Sequence, residues 1–209
     1  MKQFVTHCLY FVLPVLVALV PIGFLADGYT DPFYLRFTSP RQNALVIGIS
    51  RTAQGIQPAI LNRELQREYP QSRIYNFSFS RDSSPFGELY LNAIRNKLGK
   101  DVTNSFFIVG VDPWCISSFG KDPDDPKQFA ENNGFLSTTK WVNMNPNFPY
   151  LIKGYTDPYG TVLTRKMQTT FFNDFPPTLL HKDGWLEVTV PMDSTSIHTR
   201  MQTTLLLPF

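Results

Sequence analysis

Ser50 closes the run Ala44-Leu45-Val46-Ile47-Gly48-Ile49-Ser50-Arg51, and its setting is where the chain first offers chemistry. Ala44 to Ile47 do not alternate in polarity, which predicts a short strand buried on both faces. Gly48 permits a sharp exit from that strand. Ser50 then falls in the turn ahead of a helical pattern from Gln57 to Glu68. Open α/β sheets gather their reactive groups at the carboxyl ends of strands. A serine hydroxyl held there can attack an ester once a base takes its proton and donors stabilise the oxyanion. On these residues alone two readings stay open: such a nucleophile, or a turn serine that caps the next helix.

The other chemistry-bearing residues carry alternatives of their own. Arg51 can bind an anionic group or serve as a salt-bridge partner. Asp112 is either an Asp-Pro turn residue, a partner of Arg51 or a substrate contact. The three histidines are His7, His181 and His198. His7 lies in an apolar segment, and His181 opens the turn-like His181-Lys182-Asp183-Gly184-Trp185. His198 follows Asp193 by five residues. His181 is a weak candidate base. Cys115 reads as a packed thiol, and a disulfide with Cys8 is not expected, because Cys8 sits in the apolar N-terminal run. The sequence has no zinc-type spacing, no EF-hand spacing in the acidic loop Lys121 to Pro126, and no phosphate-binding glycine motif. Neither a metal nor a cofactor is expected.

The elements that must position these residues follow from the apolar pattern. From Cys8 to Ala26 there are 19 residues without a charge, close to the length that crosses a bilayer. Pro14 and Pro21 are tolerated better in a membrane helix than in a soluble one. An uncleaved anchor over residues 1–27 is expected, with a cleaved signal peptide as the rival. Residues 28–43 read as a juxtamembrane linker whose aromatics face either the membrane interface or the domain. Residues 44–209 are expected to form one domain. Strands are predicted at Ala44 to Ile49, Ser72 to Ser80 and Ser105 to Val111, with helices at Gln57 to Glu68 and Pro85 to Leu98. That β-α-β-α-β order predicts a parallel, doubly wound sheet, with the first strand central. Of the 17 prolines, 10 lie beyond Asp112, where regularity falls away. A helix over Gly160 to Phe172 and a strand over Trp185 to Val190 are expected there. The chain is 43% hydrophobic with a net charge of only +2, which argues against disorder and against a nucleic-acid partner.

Gly48-Ile49-Ser50-Arg51, with the following Thr52-Ala53-Gln54-Gly55-Ile56-Gln57-Pro58, resembles the first block of the SGNH/GDSL hydrolase superfamily. More narrowly, it is similar to the membrane-anchored envelope type, which includes D-alanyl-lipoteichoic-acid and alginate-acetylation proteins. The likeness covers Asp31 to Ser118. It implies a three-layer, flavodoxin-like α/β fold behind one transmembrane helix, with Ser50 as the catalytic nucleophile. It also implies oxyanion or substrate roles for Asn76, Ser78, Arg51 and Asp112. Two of these depart from the pattern: Ser78 stands where a glycine is usual, and Asp112 replaces an asparagine, although a carboxylate cannot donate. The late Asp-x-x-His of the superfamily occurs nowhere in this sequence, which is the expectation for a chain that stops before its catalytic block. The resemblance thus implies an esterase or acyltransferase on acyl groups of a cell-envelope glycan or lipid-linked carbohydrate, impaired in this chain. The alternative is a non-catalytic binding or assembly module among envelope-biosynthesis proteins. Either would sit in the bacterial cytoplasmic membrane with its domain facing outward.

Overall fold

A computed structural model describes residues 2–70, 72–79, 88–100, 105–113, 140–152 and 159–206. The expectations for Cys115 and the acidic loop at 121–126 lie outside them. The first helix, α1 (Lys2–Gly23), carries Pro14 and Pro21 within it. Its 22 residues have a mean hydropathy of 2.2 in the most apolar window, none of which is buried against the rest of the chain. At 1.5 Å per residue the helix reaches about 33 Å, against about 30 Å for a hydrocarbon core. It is long and apolar enough to cross a membrane.

The remainder is mixed α and β. Among the described residues β1 (Ala44–Ile47), β2 (Ile74–Asn76) and β3 (Phe107–Val109) form a parallel sheet in the order β2-β1-β3. Ala44 is level with Ile74, and Leu45 with Phe107. The central strand is the one whose four residues are all buried, as a non-alternating run requires. Between β1 and β2 the chain forms two helices rather than the single one expected. The first is α3 (Ser50–Gly55), after the short α2 (Tyr34–Thr38); the second is α4 (Pro58–Leu65). Extended Ile56 and Gln57 separate them, and Pro58 takes the first helical position, where its missing N–H costs nothing. Ahead of β3 runs α5 (Glu88–Lys97).

The two faces of β1 pack into different clusters. Leu45 and Ile47 join Phe33, Tyr34, Phe37, Tyr75, Phe77, Phe79, Tyr90 and Tyr150. Ala44 and Val46 join Ile74 with Ile56, Leu61 and Leu65. Residues 28–43 are therefore part of the core and not a spacer. Asp31 organises them: its buried carboxylate accepts the N–H groups of Phe33 and Tyr34 and the Tyr150 hydroxyl. That satisfies the start of α2 and turns its aromatics inward.

Two cations lie in this core, contrary to the usual solvation of such groups. Arg36, fully buried, donates to the carbonyls of Asn76, Pro32 and Gly184 at 3.3, 2.8 and 2.7 Å. Burial lowers its pKa from 12.5 to about 10. Lys97 donates to the carbonyls of Arg36, Ser39 and Val142 at 2.8, 2.6 and 2.8 Å. Burial pushes it down to about 7.

The second half is more regular than its prolines suggest. It contains α6 (Phe148–Ile152), α7 (Tyr159–Phe171), an antiparallel hairpin of β4 (Thr178–Leu180) and β5 (Leu186–Val188), and α8 (Ser194–Leu206). The hairpin docks on the outer edge of β2, where the Asn76 N–H donates to the Asp183 carbonyl at 2.9 Å. Gly184 has φ +85, and a Cβ there would strike the Asn76 carbonyl oxygen. Covering this edge removes unpaired strand groups from solvent.

Candidate functional site

Ser50 is the first residue of α3, directly beyond the carboxyl end of β1. Ile49 before it is extended, and its carbonyl accepts the Ala53 N–H at 2.9 Å. The amides ahead of Ala53 lie in the first turn, where an α-helix leaves N–H groups without intrahelical acceptors. Ser50 is half-exposed, and its hydroxyl makes no hydrogen bond among the described residues. The turn is tight for a visible reason. The Thr52 side chain sits between Gly48 and Gly110, and a Cβ on either glycine would collide with it. The carboxyl ends of β1 and β3 thus close on one threonine, and Gly110 donates its N–H to the Ile47 carbonyl at 2.8 Å.

Arg51 and Asp112 come together across this junction. The Arg51 guanidinium donates to the Asp112 carboxylate at 2.6 Å, with the side chains 83% and 14% exposed respectively. Of the readings open to these two residues, the ion pair is the one the geometry realises. It leaves a well-exposed guanidinium next in sequence to the serine.

Asn76 and Ser78 do not open toward Ser50. Both are fully buried. The Asn76 amide donates to the carbonyls of Thr52, Ala53 and Ile56 at 3.0, 3.3 and 3.0 Å. Its side-chain oxygen accepts the Ser78 N–H at 3.1 Å. Asn76 therefore closes the carboxyl end of α3, where four carbonyls lack intrahelical donors. The amide expected to hold an oxyanion is consumed, and so is the Ser78 N–H. What Asn76 does is hold in place the helix that begins with Ser50.

His181 lies in the hairpin turn. Its Nε2 is 2.7 Å from a Glu187 carboxylate oxygen, and its ring stacks on Trp185 with centroids 4.6 Å apart. The Trp185 indole N–H donates in turn to the Gln54 carbonyl at 2.7 Å, which ties the hairpin to α3. His181 is thus engaged within its own hairpin, and no bond links it to Ser50. His198 is exposed on α8 and His7 on α1. Among the described residues no group of three or more His, Cys, Asp or Glu side chains is placed to hold a metal ion.

Compared with protein-family models, curated proteins and solved structures, this chain matches none. Its own geometry therefore carries the functional argument. The residues missed from sequence were Thr52, which wedges the two strand ends, and the buried cations Arg36 and Lys97. The two glycines were the available signal for Thr52, since each closes a strand run. Nothing in the pattern signalled the cations.

Proposed function

We propose that this chain is a membrane-anchored, SGNH-like domain of a bacterial envelope, with a three-layer, flavodoxin-like plan, whose Ser50 surface takes acylated envelope glycan. The observation that carries the reading is the placement of Ser50. It heads a helix immediately after the central parallel strand, half-exposed, with Arg51 and Asp112 paired beside it. The α1 helix supports the anchor. A single-pass arrangement in the cytoplasmic membrane with the domain outward belongs to the same reading.

Turnover in this reading is low. A serine hydroxyl attacks slowly until a base removes its proton, and His181 is committed to Glu187. Loss of a triad member leaves only the residual catalysis of binding and of any oxyanion donors, several orders of magnitude below a complete site. The commitment of the Asn76 and Ser78 donors favours the second reading, a binding or assembly module of the same fold.

The test pairs binding with hydrolysis. An O-acetylated oligosaccharide is titrated against the full chain in lipid nanodiscs, alongside Arg51→Ala and Ser50→Ala. A chromogenic acetate ester is assayed in parallel. Binding weakened by Arg51→Ala, with ester hydrolysis the same in wild type and Ser50→Ala, is the expected result. No binding would sink the glycan reading. Brisk hydrolysis abolished by Ser50→Ala would instead establish a working site, with His181→Ala the next variant.

A further inference from the structure

The outward side of α7 has an unusual composition for a helix facing water. Leu163, Met167 and Phe171 recur at four-residue spacing, and all three are exposed. Between them the exposed positions are Thr164, Gln168 and Thr170, which carry no charge. Both cations of the helix turn the other way. Lys166 donates to the Asp27 carboxylate at 2.7 Å, and Arg165 to the Thr30 carbonyl at 2.8 Å. A soluble amphipathic helix places its charges outward, and this one does the reverse. Past the helix, Phe172 is as exposed as Phe171, each at 74%, and Phe175, beyond the exposed Asn173 and Asp174, is 49% exposed. The Phe175 ring lies 5.1 Å from that of Tyr29.

Position decides what meets this surface. Helix α7 packs against α1. Asp27 and Thr30, to which its cations are tied, follow the end of α1 by only four and seven residues. Phe24, just past that end, is 64% exposed. Helix α7, with its exposed apolar residues, therefore lies beside the end of the helix long enough to span a bilayer. Aromatic side chains favour the membrane–water interface, and helices with one apolar side lie in its plane.

We propose that α7 and the turn after it, through Leu163, Met167, Phe171 and Phe172, rest in the surface of the same lipid bilayer that α1 enters. The proposal rests on the anchor reading of α1 and not on the chemistry at Ser50. Two contacts with the bilayer would fix the tilt of the domain, which one helix alone leaves free.

The experiment places a single environment-sensitive fluorophore at Phe172→Cys in full-length protein carrying Cys8→Ala and Cys115→Ser. The protein is reconstituted in phosphatidylcholine–phosphatidylglycerol vesicles. A second preparation carries the label at Glu68→Cys, an exposed position after α4. Quenching by a lipid with a nitroxide near its headgroup, relative to quenching by aqueous iodide, is expected to be at least about threefold greater at 172 than at 68. Alkaline extraction of the same vesicles reads α1 separately. Protein extracted from the vesicles overturns the anchor reading and the proposal with it. Protein retained in the vesicles, but with label 172 as open to iodide as label 68, overturns this proposal alone. So does protection from iodide without nitroxide quenching, which would mean that protein and not lipid covers α7.

Discussion

Lys97 is the residue whose surroundings most constrain its chemistry. Three backbone carbonyls take all three of its protons, and its ammonium lies 5.5 Å from the Tyr75 ring centre and 5.7 Å from that of Phe77. Burial lowers its pKa from 10.5 to about 7. Between those values the unfolded chain binds more protons than the folded one, so stability rises with pH from about 7 upward, by at most about 1.4 kcal/mol per unit. Thermal melts between about pH 7 and 9 are expected to move upward in wild type and to lose that slope in Lys97→Met. An identical slope in the variant would assign it to other groups. The sequence hides this residue: of the apolar residues of α5, Leu91 is 41% exposed, whereas the inward face is Tyr90, Ala93, Ile94 and Lys97. A lysine adds no apolar weight to a periodicity, so burial through its hydrogen bonds leaves no trace there. Asn76 misleads in the opposite sense. Its type and position resemble an oxyanion residue, yet three carbonyls at the end of α3 claim its amide. Ser50 was legible because a non-alternating apolar run and a glycine mark the end of a buried strand without help from distant parts of the chain.

Elements were legible where their burial was local in sequence. The three parallel strands each have an apolar core of a few residues, and their parallel order followed from the helices between them. Helix α3 was missed because six residues carry no periodicity, and its end is closed from β2 and not by a residue of its own. In residues 28–43 Gly28, Pro32 and Pro40 mimic a linker, while Asp31 draws Phe33 and Tyr34 inward, so of the two places open to these aromatics the domain is the one they take. The turn of the hairpin was visible in Asp183-Gly184, but not its docking. That docking is the element-scale prediction. At Gly184 the positive φ and the contact with the Asn76 carbonyl both exclude a side chain. Arg36 also binds the Gly184 carbonyl at 2.7 Å. Gly184→Ala is expected to destabilise the domain by about 1–3 kcal/mol, seen as a lower melting temperature. If the melt is unchanged, the hairpin does not brace β2.

At the scale of the whole molecule, the end of α1 packs directly onto the domain. Gly23, the last residue of α1, is buried, and a Cβ there would press on Phe148 of α6. The Tyr34 hydroxyl donates to its carbonyl at 3.4 Å, and Ile22 packs against the main core. The domain is thus seated on the helix end, and the position of Cys8 along α1 becomes a gauge of how that helix meets the bilayer. Cys8 is six residues after Lys2, which puts it about 9 Å along the helix axis from its start. If α1 crosses the bilayer, that depth lies within the hydrocarbon, where no polar reagent arrives. Its thiol is exposed on the protein itself, so any protection must come from lipid. In sealed vesicles of the Cys115→Ser protein, a membrane-impermeant maleimide is expected to leave Cys8 unmodified, and to label it once detergent dissolves the bilayer. Labelling before detergent would show that α1 lies outside the hydrocarbon, and the seated geometry would then position the domain against something other than a membrane.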